Sequence, residues 1–121
     1  MKPVVIYSDK ILNRLGILFK IGGITLWPFI ILRERYKLTG YQSRAAKIIN
    51  HESIHIKQQE EMLVIPFYLL YGLSYLWNII KYRGNIKLAY RKIPFEQEAF
   101  ANEDNYNYLT TRRFWTWVKH F

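Results

Sequence analysis

Hydrophobic and polar positions divide the chain into four stretches with different patterns. Residues 1–40 mix β-branched and aromatic side chains with Gly16, Gly22, Gly23 and Pro28, and the run GITLWPFIILRERY reads as extended. After LTGYQ, the apolar residues Ala45, Ala46, Ile48, Ile49 and Ile56 recur at helical spacing; Ser43 is placed to cap that helix and Pro66 to limit it. From Met62 to Ile80, 19 residues carry no charge. Such a stretch is either a buried core helix or a segment in contact with a membrane. Pro66, Gly72, Ser74 and Asn78 weaken it as a span, whereas Tyr68, Tyr71, Tyr75 and Trp77 suit a headgroup region.

In the last stretch, Pro94 fits the first turn of a helix, with Glu96 and Glu98 near its positive end. The chain finishes with TTRRFWTWVKHF, where Phe114, Trp117, Val118 and Phe121 fall on one side of a basic amphipathic helix. That helix reads as an interfacial anchor or as a terminal helix docked on the core. The pattern predicts an α+β fold, mainly helical with a short N-terminal antiparallel sheet. It forms one domain over residues 1–121 with a hydrophobic, membrane-apposed segment at 62–80.

Charge and composition narrow the partners. A net charge of +9 favours an anionic partner, membrane lipid or nucleic acid. The aromatics cluster in apolar blocks rather than interleaving with lysine and arginine along a groove, so nucleic acid is not expected. Membrane contact is expected through 62–80 and 112–121. There are no cysteines, so a metal site could use only His, Asp and Glu. The N-terminal MKPVVIYSDK has too short an apolar run for a secretory segment. The expected location is the cytoplasmic side of a membrane, or alternatively the soluble cytoplasm.

Chemistry enters with NHESIHIKQQEEM. His51 and His55 are four apart, so on a helix they share a face and can converge on one ion. Neutral imidazole suits zinc, and two rings supply two of the three protein ligands a catalytic site needs. Glu52, one position along, falls beside the metal, where a base takes a proton from an attacking water.

The third ligand must come from elsewhere, and Glu96 and Glu98 are the acidic pair at a downstream helix start. On a helix continued to Leu109, the residues Phe95, Ala99, Asn102, Tyr106 and Leu109 form one stripe. Glu98 lies roughly 60° from its centre and Glu96 roughly 100° away on the other side. Burial on that stripe favours Glu98, with Glu96 as the alternative. Asn102 follows Glu98 by one turn, placed to hydrogen-bond a ligating histidine.

HESIH with the downstream PFEQEAFAN resembles the gluzincin metallopeptidases. The small size is similar to the minigluzincins and to small Bacteroidetes proteins that carry the motif. The resemblance implies a zincin-like motif helix packed on a glutamate-bearing helix. It makes His51 and His55 zinc ligands and Glu52 the general base, with a peptide or protein as substrate. Read as Glu98, the segment EAFAN puts Asn102 where the family often has aspartate. Read as Glu96, EQEAF matches the recurrent form but puts Phe100 at the place of the polar residue that orients a histidine. The family also implies an edge strand upstream that holds an extended substrate, here GITLWPFIILRERY. Tyr106, Tyr108 and His120 remain open as stabilisers of the oxyanion.

Overall fold

The extended run at the N-terminus becomes two strands and a turn. The computed structural model describes residues 3–16 and 22–121. Its sheet contains β1 (Val4–Tyr7), β2 (Gly23–Leu26) and β3 (Phe29–Leu32), in the order β1-β3-β2. Trp27 and Pro28 make the two-residue connection between β2 and β3, which pair antiparallel with Leu26 opposite Phe29. Pro28 therefore sits in the turn, where its missing N–H costs no ladder bond. Of the run expected to be an edge strand, only β2 lies at an edge; β3 is the central strand.

The sheet is mixed rather than antiparallel, because β1 runs parallel to β3, with Val4 opposite Phe29. Between β1 and β2 comes α1 (Asp9–Gly16), which the pattern did not predict. The Ser8 hydroxyl accepts from the Ile11 N–H at 3.2 Å, and Asp9 lies in the first turn. The Ser-Asp pair is an N-terminal signal for a helix. Residues 1, 2 and 17–21 of the first stretch lie outside the described residues.

The motif helix α2 spans Gln42–Glu61. Its first turn begins one residue ahead of the predicted cap: the Tyr41 carbonyl accepts from the Ala45 N–H at 2.9 Å, so Ser43 lies inside the helix. One side of α2 packs Ala45, Ile48, Ile49 and Ile56 onto Ile30, Leu32 and Tyr36. Gly23 is where β2 comes closest: a Cβ there would lie 2.5 Å from Leu32 Cδ2 and 3.0 Å from the Ile31 carbonyl.

The uncharged stretch forms α3 (Ile65–Lys81), with proline in its first turn. Between α2 and α3 the chain turns by 115°, through Leu63 and Val64, both at φ 59°. Left-handed backbone at a β-branched residue costs of order 1–3 kcal/mol, so the packing of α3 holds this bend in place. No single helix among the described residues is long and apolar enough to cross a membrane. At its far end α3 stops on Gly84, φ 82°, whose N–H bonds the Ile79 carbonyl at 2.8 Å.

After the short α4 (Ile86–Arg91), α5 (Pro94–Asn102) returns against α2, and α6 (Tyr108–Thr111) follows. A second core gathers Phe67, Ile93, Phe95 and Trp117, with Leu70, Tyr71, Tyr75 and Tyr90 around it. The C-terminal segment departs from its amphipathic-helix pattern. Only Thr116–His120 coils, as a 3₁₀ turn; Trp117 is buried on Phe95, with ring centroids 5.0 Å apart, while Phe114 and Val118 are exposed.

Candidate metal centre

The second side of α2 is polar and buried. His51, Glu52 and His55 all lie on it, and none is more than 8% exposed. Such groups stay buried only when their hydrogen-bonding capacity is met. What meets it comes from α5 and the residue after it, from β2 and from Gln58 of α2 itself.

Glu96 enters from the first turn of α5 and places Oε1 3.0 Å from His51 Nε2 and 3.1 Å from His55 Nε2. Its other oxygen, Oε2, accepts from the Tyr71 hydroxyl at 2.7 Å. Ligand atoms of His51, His55 and Glu96 all lie within 4.8 Å of one another. A tetrahedron with metal bonds of about 2.0–2.1 Å has edges of roughly 3.3 Å. The spacing of these three donors therefore suits a divalent cation with little rearrangement.

The outer nitrogens of both rings are occupied. His51 Nδ1 lies 2.7 Å from Glu103 Oε2, and His55 Nδ1 lies 2.7 Å from Gln58 Oε1. Gln58 is oriented without ambiguity, because its Nε2 donates to the Phe95 carbonyl at 3.1 Å and to Glu98 Oε1 at 2.9 Å. Its oxygen must then accept from His55, so Nδ1 of that ring is a donor. With both Nδ1–H groups engaged, each ring presents Nε2 toward Glu96, the tautomer a metal requires.

Glu103 reaches His51 because Asn50 pulls the end of α5 onto α2. The Asn50 amide donates to the carbonyls of Glu103 at 2.8 Å and Asn105 at 3.1 Å. Lys47 Nζ, 3.5 Å from Glu103 Oε1, adds a partly exposed ion pair.

The structure brings Glu96, not Glu98, to the histidines. Glu98 accepts instead from Arg112, Gln58 and the Tyr108 hydroxyl. The helical stripe misled because it ran to Leu109, whereas α5 ends at Asn102. This short helix is buried on two sides, against α2 and against the C-terminal segment. Glu96 faces the histidines of α2, and Glu98 lies between Gln58 of α2 and Arg112 of the C-terminal segment. Asn102 likewise does not touch a histidine: its Nδ2 donates to the Glu98 carbonyl at 2.8 Å. Glu103 has the role expected of it. Phe100 does not leave His51 without a polar partner; it packs edge-on against that ring, with centroids 4.6 Å apart.

Glu52 points from α2 toward the edge strand, where its Oε2 accepts from the Thr25 hydroxyl. The Thr25 carbonyl accepts in turn from the Tyr68 hydroxyl at 3.2 Å, so it is turned outward from β3. Of the residues considered for the oxyanion, Tyr108 is bound to Glu98, Tyr106 is exposed, and His120 lies in the C-terminal turn. None of these joins the triad. Tyr71 does, and the pattern had marked it only as a headgroup aromatic. Tyr71, Gln58, Glu103 and Thr25 are the site residues that sequence reasoning missed. Gln58 follows His55 by three positions and Glu103 follows Glu96 by seven, spacings that carry a same-face signal.

Titration follows from this packing. Burial opposes charge on His51, but hydrogen bonds to Glu103 and Glu96 overcome it and raise its pKa from 6.5 to about 10. His55 is raised as well, burial again opposing and Glu96 prevailing. For Glu96, burial favours the neutral acid, yet the charge of His55 and the His51 hydrogen bond hold it far below the usual carboxylate range. Burial, with Glu96 nearby, pushes the Tyr71 phenol well up, so it stays a donor.

A raised histidine pKa stabilises the metal-free fold fully below about 6.5, and that stability is lost as pH rises through about 10. A metal needs neutral rings, so its stabilisation grows over the same window. Melting the chelated and zinc-loaded protein from pH 6 to 10 should show the first falling and the gap between them widening. A gap that is constant or shrinks with pH contradicts this linkage.

Compared with known proteins, the chain matches no family model, no curated protein and no solved structure.

Proposed function

We propose that the chain is a zinc-dependent metallopeptidase in which His51, His55 and Glu96 hold the metal and Glu52 is the general base. The observation that carries this reading is the convergence of two Nε2 atoms and one carboxylate oxygen, with both Nδ1 atoms engaged on their far sides. Two imidazoles and a carboxylate are a donor set that suits zinc while leaving a position for water or substrate. Zinc there would supply Lewis acidity, polarising a carbonyl and making a coordinated water acidic.

The chain's own residues divide the remaining work. Glu52, adjacent to the triad but outside it, takes a proton from the attacking water and delivers it to the leaving amine. Thr25 fixes that carboxylate through its hydroxyl. Glu52 is buried beside the triad without belonging to it, the position a general base requires. Among the described residues β2 is an edge strand, which suits strand addition of an extended peptide, and the Tyr68 hydroxyl holds its Thr25 carbonyl. Tyr71 fixes Glu96 Oε2 and leaves Oε1 for the metal.

A second reading is a non-catalytic zinc site that ties α2 to α5, and the deep burial of all three ligands favours it. Hydrolysis separates the two. Zinc-loaded protein should cleave an unstructured polypeptide such as denatured casein, lose that activity to a chelator, and regain it with zinc. A protein that binds one zinc, melts higher for it and cleaves nothing would support the second reading.

A further inference from the structure

The side of α3 turned away from the metal triad carries a stripe of large apolar residues that the described structure leaves uncovered. Ile65, Leu69, Leu73, Leu76, Trp77 and Ile80 are each 60–72% exposed. At about 100° per residue they fall in one sector, roughly opposite Phe67, Tyr71 and Asn78. Phe67 and Asn78 are buried, and Tyr71 reaches Glu96. A face with this many exposed large side chains is not ordinary solvent surface.

Charge selects the occupant. Between Glu61 and Glu96 the chain holds no acidic residue, but it holds Lys81, Arg83, Lys87 and Lys92, all exposed, besides Arg91, whose guanidinium lies over Phe100. A second copy offers these cations no partner charge, since residues 62–80 are uncharged and residues 81–92 are basic, so self-association leaves them unanswered. An anionic lipid surface complements both features: the stripe enters the headgroup and acyl boundary while the lysines and arginines meet phosphates. At 17 residues, about 25 Å, α3 is short for a span, and its inner face is committed to the protein core.

We infer that α3 docks the protein, parallel to the surface, on membranes rich in anionic lipid. The tyrosine that orients Glu96 then sits on the protein side of the helix whose other side meets lipid. The candidate metal centre would thus lie about one helix diameter, ~10 Å, from the bilayer. Docking itself does not depend on the metal.

The test is co-sedimentation of the full chain with phosphatidylcholine vesicles, with and without about 30% phosphatidylglycerol. Binding should need the anionic lipid and weaken at least tenfold at about 0.5 M salt, where exposed charges are screened. The double variant Leu73→Glu/Trp77→Glu should lose vesicle binding with an unchanged far-UV spectrum. Lys81→Glu/Arg83→Glu, which leaves the stripe intact, should weaken it by about an order of magnitude or more. Three results would overturn the inference: no binding by the wild type, equal binding by the stripe variant, or a stable dimer that the stripe variant breaks while vesicles are ignored.

Discussion

Glu52→Gln is expected to retain one zinc per chain and lose roughly 10²- to 10⁴-fold in hydrolysis, the usual contribution of a positioned acid–base group. The amide has the shape of the carboxylate and can still accept from Thr25, whose hydroxyl lies against Glu52 Oε2. Nothing in the triad is disturbed, because Glu52 is not among the converging ligand atoms. What the amide lacks is basicity: it cannot take the proton of the attacking water. The loss should therefore appear in kcat rather than in zinc affinity. A Glu52→Gln protein that cleaves like wild type would remove Glu52 from the mechanism.

Arg112→Met is expected to destabilise the fold by about 3–5 kcal/mol, the range for removing one partner of a buried ion pair. Its guanidinium bridges two glutamates distant in sequence, with Nη1 2.8 Å from Glu61 Oε2 and Nε bonded to Glu98. The three side chains are no more than 4% exposed. Methionine fills a similar volume but leaves both carboxylates buried with too few donors. Glu98 keeps Gln58 and Tyr108, and Glu61 keeps the Trp115 N–H at 2.9 Å. None of these three contacts carries positive charge. For a domain of this size the loss is a large part of the total stability. Urea unfolding of the chelated protein measures it, and a change below about 1 kcal/mol would contradict the account.

Arg112 also explains what could be read from the chain and what could not. The two histidines and Glu52 were legible because their geometry is local: one helix sets it, whatever surrounds that helix. The third ligand was not, since choosing between Glu96 and Glu98 depends on which side of α5 meets α2. Glu98 is instead held by Arg112, which pairs it with Glu61 across the fold. In the pattern Arg112 counted as a basic residue of a terminal amphipathic helix, and nothing local marks it as buried.

The α+β class, α2, α3 and the start of α5 at Pro94 were legible from periodicity, whereas α1 and α4 were not and the terminal amphipathic helix is a 3₁₀ turn. The parallel pairing of β1 with β3 was not, because hydrophobic alternation fixes faces but not strand direction. Tyr71 shows the same limit from the other side. Its hydroxyl in an uncharged stretch suggested a headgroup, whereas a carboxylate 25 residues away satisfies it.

The central claim is that Glu96 completes a metal site with His51 and His55. Zinc titration of the metal-free wild type beside Glu96→Gln and Glu98→Gln tests it most directly. One tight equivalent is expected for the wild type and for any folded Glu98→Gln protein, and an affinity loss of at least about 100-fold for Glu96→Gln. Tight stoichiometric zinc in Glu96→Gln, or less than about a tenth of an equivalent in the wild type, would contradict it.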